Sequence, residues 1–276
     1  MKRSIYLIRH AQSGFNKFLG AAIDRYQLTE DDEHLLLFTR VAKKEELIDP
    51  HITELGLKQT LLAREKYKEQ FSKVKLVMTT AMTRTLDTAR GIFDSQNCKD
   101  KEFVVLPFFE RIQSISDIPS KVCQNFEKYP EFDFSLMKDQ IERHGTTWFL
   151  HKLTNPYLRE KLIDGLKEFD HSPIDQQVIL KTFKLTDQLR HLKNTELENL
   201  CEFYFRIQNH KMSMKRLLLQ PKYRDLKDGE IALVGHYCFN SSFMATDFDE
   251  NFFPKNFHRF ENCEAVYREI EFPDDF

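Results

Sequence analysis

Ser4-Ile5-Tyr6-Leu7-Ile8-Arg9-His10-Ala11-Gln12-Ser13-Gly14-Phe15-Asn16 changes character abruptly at its middle. Ser4–Ile8 is a short apolar run of the kind buried inside a parallel sheet. A basic pair, a hydroxyl and an amide follow at once. Three later runs share the character of the first: Val74–Met78, Phe103–Leu106 and Ile231–Val234, each bounded by polar residues or Pro. Helical spacing separates them. Over Thr53–Gln70 the expected apolar face is Leu57, Leu61 and Leu62, and over Ala81–Phe93 it is Met82, Leu86, Ala89 and Phe93. Strands alternating with helices predict βαβ units, hence an α/β domain of three αβα layers around a mostly parallel sheet with flanking helices. Ala265–Glu271 alternates apolar and polar residues, as a closing edge strand does.

Between Arg111 and Asp228 no comparable strand occurs, and Pro156–Phe169 and Asn194–Leu219 read as amphipathic helices. Residues 111–228 are therefore expected to form a mainly helical insertion near the site, within one domain spanning 1–276. The chain has 276 residues, with 41 Lys and Arg against 43 Asp and Glu, a formal charge of −2. That balance offers no broad cationic face for nucleic acid or anionic lipid. A hydrophobic share of 41% with 30% charged residues describes a packed globular protein, and 25 Phe against 8 Gly implies an aromatic core. Five separated cysteines without a C-x-x-C pair point to a reducing compartment, the cytoplasm. The first apolar run is too short for a signal sequence or a membrane span.

Ligands of open parallel sheets bind at the carboxyl ends of the strands. Four strand ends here carry suitable groups: Arg9 and His10 with Ser13 and Asn16; Arg84 in the first turn of a helix; Glu110 after Phe108 and Phe109; and Gly235-His236-Tyr237. Arginine forks and a helix N-terminus favour an anion, and two arginines at one sheet end repel unless an anion lies between them.

The string Leu7-Ile8-Arg9-His10-Ala11-Gln12-Ser13, with Asn16, resembles the R-H-G/A-x-S-x-x-N signature of the histidine phosphatase superfamily, the phosphoglycerate-mutase-like fold. Asp49–Gln59, Thr79–Ala89, Glu110, Leu233–His236 and Asn262–Phe272 resemble further segments of that family, in its order. The resemblance implies that His10 is a nucleophile forming a phosphohistidine, that Arg9, Arg84 and His236 hold the phosphoryl oxygens with Ser13 and Asn16, and that Glu110 is the general acid. His10, Glu110 and His236 are then the catalytic set. Lys17, Arg25, Arg111 and Tyr237 are candidates for the rest of the substrate.

Several positions depart from the family pattern. Thr80 and Ala81 replace Ser-Pro, with Thr80 expected to cap the following helix, and Asp87 replaces Gln. An acidic patch, Glu30–Glu33, reads as solvated. Ile112-Gln113-Ser114 after Glu110-Arg111, and the lack of a G-W-x-D segment, favour a metal-independent phosphatase without cofactors over a mutase. The expected substrate is a small phosphorylated metabolite or a phosphoprotein, with homo-oligomerisation or a larger assembly left open. The competing reading is a scaffold or assembly subunit on the same fold, docking through 111–228. A metal hydrolase is disfavoured by the absence of H-x-H and H-E-x-x-H.

Overall fold

A computed structural model describes residues 1–27, 45–112, 115–119, 122–166 and 198–273. Five strands form one sheet: β1 (Lys2–Arg9), β2 (Leu76–Thr79), β3 (Glu102–Val105), β4 (Ile231–Gly235) and β5 (Ala265–Glu271), in the spatial order β3-β2-β4-β1-β5. The first four are mutually parallel and β5 runs antiparallel to β1. β2 starts at Leu76 and not Val74, because Lys75 and Leu76 both donate to Glu230 O as the chain enters the sheet.

Alternation along the strands assigns side chains to two apolar layers. On one face Ile8, Val77, Val105 and Val234 pack with Leu86, Ala89 and Phe93 of the helix Thr83–Phe93. On the other, Leu7, Met78 and Leu233 meet Phe203, Ile207 and Met214 of the helix Leu200–Leu218, and Phe239 and Phe243 of the helix Tyr237–Met244. This is the three-layer α/β arrangement. The stretch expected as an insertion divides accordingly. Leu200–Leu218 is a layer of the core itself, while helices Val122–Lys128, Ser135–His144 and Pro156–Leu166 extend the opposite layer with Trp148 and Phe149.

One helix turns a face other than the expected one. In Glu54–Lys66 the leucines Leu57, Leu61 and Leu62 are 52%, 48% and 70% exposed, and Gly56, Thr60 and Ala63 are buried instead. The helix approaches its neighbours through small residues: a Cβ on Gly56 would strike the Gln12 carbonyl, and one on Gly91 would strike Thr60. Close approach overrides the leucine periodicity. Among the described residues no helix is long and apolar enough to cross a membrane.

Candidate active site

β1 delivers Arg9 and His10 to the carboxyl edge of the sheet, where three contacts fix the turn that follows. His10 N donates to Gly235 O at 3.0 Å, Ala11 N to Thr88 Oγ1 at 2.9 Å, and Asn262 Nδ2 to His10 O at 2.8 Å. The His10 ring is buried, and its Nδ1 lies 2.7 Å from Ala11 O. A carbonyl only accepts, so Nδ1 carries the hydrogen and the lone pair of the neutral ring is on Nε2. Burial, then Arg84, then Arg9 hold the ring's pKa well below the ordinary histidine value, so it is neutral at pH 7.

β4 brings the second histidine. Gly235 is required at its end, since a Cβ would collide with Asn240 Oδ1 where the chain enters the helix Tyr237–Met244. The His236 ring centroid is 5.3 Å from that of His10. Its Nε2 lies 2.8 Å from Thr80 Oγ1, which lies 3.0 Å from Thr85 Oγ1, while Nδ1 is buried without a partner. Burial and then Arg84 lower its pKa too. Thr80 therefore does not cap the next helix. The N-cap is Met82, two residues on, and the capping acceptor is Asp49, whose Oδ1 takes the Thr83 N–H at 2.8 Å and whose Oδ2 takes the Thr83 hydroxyl at 3.0 Å. Asp87 on that helix is structural as well, bonding His51 Nδ1 at 2.8 Å and the Tyr129 hydroxyl at 2.5 Å.

Arg84, buried in the first turn, donates from Nη1 to Ser116 O at 2.5 Å and from Nη2 to Asp117 Oδ1 at 3.2 Å. The anion expected beside this arginine is thus partly internal, supplied by the short turn Ile115–Asp117. Nothing in the periodicity of the sequence marks Asp117. Arg9, by contrast, donates Nη1 to Phe260 O at 2.6 Å, and its Nε is buried with no partner.

Glu110 is buried at the N-terminus of the helix Tyr237–Met244. Its Oε1 accepts from Arg111 N at 2.7 Å, and its Oε2 from Cys238 N at 3.1 Å and Phe239 N at 3.4 Å. Burial outweighs these bonds and, with Asp117 acting in the same sense, pushes the carboxyl up to about 7. The two rings that precede Glu110 enter different apolar layers: Phe108 stacks on His210 at 4.1 Å in one, and Phe109 meets Trp148 edge-on at 5.7 Å in the other.

Beneath Glu110 lies a network that sequence reasoning missed. Arg206 is fully buried and pairs with Glu198 through two 2.6 Å bonds, donates to Phe109 O at 3.0 Å and Glu110 O at 3.1 Å, and reaches His210 Nε2 at 3.2 Å. It clamps the backbone that carries the acid. The available signal was Asn199-x-x-Glu202, a reciprocal capping box that places Glu198 just outside the helix and Arg206 inside it.

The remaining candidates are dispersed. Ser13 and Asn16 bond each other as the capping box of the helix Gly14–Tyr26, at the end of the His10 turn. Lys17 is exposed, and Arg25, also exposed, stacks over Tyr26 in the last turn. Arg111 is buried and donates Nε to Glu198 O at 2.9 Å. Tyr237 lies under Arg9, whose Cζ is 5.3 Å from the ring centroid. Glu30–Glu33 falls outside the described residues.

No protein-family model and no curated protein matches the chain. Among solved structures it is similar to a phosphoglycerate mutase from Bacillus anthracis str. Sterne, at 13% identity and TM-score 0.45 over 98% of this chain and 88% of that one. It is also similar to the ecdysone phosphate phosphatase of Bombix mori, at 13% identity and TM-score 0.43 over 96% and 88% of the two chains. A mycobacterial glucosyl-3-phosphoglycerate phosphatase gives 13% identity and TM-score 0.42 over 96% and 89%. Likenesses this remote do not carry a function, which has to rest on the chemistry of the site.

Proposed function

We propose that the protein is a phosphomonoesterase of the histidine phosphatase type, working without a metal through a phosphohistidine on His10. One observation carries the reading: the His10 ring is neutral and holds its Nε2 lone pair bare, because Nδ1–H is committed to Ala11 O, in a pocket made cationic by Arg9 and Arg84. Such an imidazole is a competent nucleophile near neutral pH.

In the first step Nε2 attacks phosphorus, the N–P bond forms and the ester P–O bond breaks. Protonated Glu110 gives its proton to the departing alkoxide. The buried, unpartnered Nε of Arg9 donates to a phosphoryl oxygen as charge spreads over the equatorial positions. His236 does the same from Nδ1, oriented by the Thr80 hydroxyl, which donates to His236 Nε2, while Thr85 commits its own hydroxyl hydrogen to Met82 O at 2.7 Å. In the second step the Glu110 carboxylate takes a proton from water, water oxygen attacks phosphorus and the N–P bond breaks, regenerating neutral His10. The substrate is a small phosphorylated metabolite or a phosphoprotein, and five unpaired cysteines suit a reducing cytoplasm.

Purified protein given para-nitrophenyl phosphate, with and without a chelator, tests this. Chelator-insensitive turnover is expected, with an acid-labile phosphoenzyme on rapid quenching, and His10→Ala loses both while keeping the wild-type melting curve. Absence of turnover and of phosphoenzyme from about pH 5 to about pH 8 would favour the scaffold reading.

A further inference from the structure

A run of aromatic rings leads away from Arg9 to the surface. Tyr237, half-buried beneath the Arg9 guanidinium, meets Phe257 edge-on at 5.1 Å, and Phe257 meets Phe253 at 4.8 Å. Exposure rises along the run, from half-buried Tyr237 and Phe257 to Phe253 at 40%.

The segment carrying the outer rings is held by its own bonds. Asp249 Oδ1 accepts from Asn251 N at 2.8 Å and Phe253 N at 2.9 Å, and Phe248 bridges to Pro254. Phe252 takes a positive φ of 62°, a conformation rare for a bulky residue. Neighbouring rings are thereby sent to opposite sides: Phe252 packs back on Tyr204 at 5.5 Å, and Phe253 faces Phe257. Beside the run Lys255 pairs with Asp247, and His258 Nε2 bonds Glu264 Oε1, both at 2.9 Å.

Resting on the phosphatase reading, we infer that Tyr237, Phe257 and Phe253 receive the alcohol part of the substrate, and that the preferred esters carry an aromatic or similarly flat apolar group a few bonds from phosphorus. The occupant follows from continuity. On that reading Arg9 gives its unpartnered Nε to the phosphoryl group, and its Cζ lies 5.3 Å from the centre of the first ring, so the group esterified to that phosphate is placed toward Tyr237. The three rings, one pair edge-on and one tilted, offer apolar contact to a flat group.

Titration calorimetry with 3-phenylpropylphosphonate and propylphosphonate, which share head group and linker and are not hydrolysed, separates the ring's contribution from that of the phosphate pocket. The phenyl compound is expected to bind about tenfold more tightly. Phe257→Ala and Phe253→Ala should each bring the ratio of Kd values to within about twofold. Phe253 is 40% exposed, and its replacement is expected to leave the melting curve unchanged. Equal Kd values in the unaltered protein, or a ratio that survives both substitutions, overturn the aromatic subsite and leave the phosphatase reading standing. If neither compound binds, the phosphate pocket fails and the subsite falls with it.

Discussion

Arg9 and Arg206 are both withdrawn from solvent beside the same acid, and both lie over aromatic rings, Tyr237 at 5.3 Å and Phe109 at 4.1 Å. They differ in what their donors do. Every nitrogen of Arg206 is engaged by Glu198, two backbone carbonyls or His210. Arg9 has one bond to a carbonyl and a buried Nε without a partner. Burying a donor unsatisfied costs about 1–3 kcal/mol, a cost a fold tolerates where a ligand is to be bound. On the proposed mechanism, saturation marks the arginine that builds the site, and an unengaged donor marks the one that meets the substrate.

The comparison breaks if Arg206→Met is silent. It should lose about 3–5 kcal/mol of stability in denaturant titration, because Glu198 is left buried and unpaired, and Arg206→Met with Glu198→Leu should recover most of it. Arg9→Met is expected to leave that titration nearly unchanged while lowering kcat/KM about 10²–10³-fold, as loss of an oxyanion donor does.

Glu110 sharpens the contrast through pH. Its carboxyl is raised to about 7, so the proton needed by the leaving alkoxide is present below that pH and lost about tenfold per unit above it. Esters of basic alcohols should show this falling limb. Glu110→Gln should flatten it and slow those esters far more than para-nitrophenyl phosphate. The same shift has a sign for stability: the fold favours the protonated form, so this group's contribution declines as pH rises from about 4.5 through about 7, and Gln removes the decline. Thr80→Val, which keeps the shape and removes the hydroxyl that holds His236, should cost about tenfold in kcat/KM with little change in melting temperature.

Strand ends were legible in the sequence because each is a sharp passage from a β-branched run to a polar group: Ile8 to Arg9, Val234 to Gly235 and His236. The edge strand Ala265–Glu271 was legible in its alternation, and the structure keeps those bounds. Helix faces were less so. Leu57, Leu61 and Leu62 looked like a core stripe, yet Gly56 and Thr60 define the packing, since contact distance rather than hydrophobicity selects the face there. Asp49 is legible in the sequence only as the start of a family-like segment, and Asp117 not at all, because their partners, Thr83 and Arg84, are reached through space from short turns with no periodic signature. Glu198 and Arg206 escaped because a buried ion pair reads in sequence as two surface charges.

β1 lies between β4 and β5, and Phe272 N donates to Met1 O at 2.9 Å. The strand that leads into His10 is therefore made before the other four and is the last to find neighbours, since both partners lie more than two hundred residues downstream. Sequence separation of this size slows folding. A nascent or truncated chain lacking 231–271 carries His10 and Arg84 but no sheet edge on which they can meet, so the pocket comes into being only once both of those strands have been made.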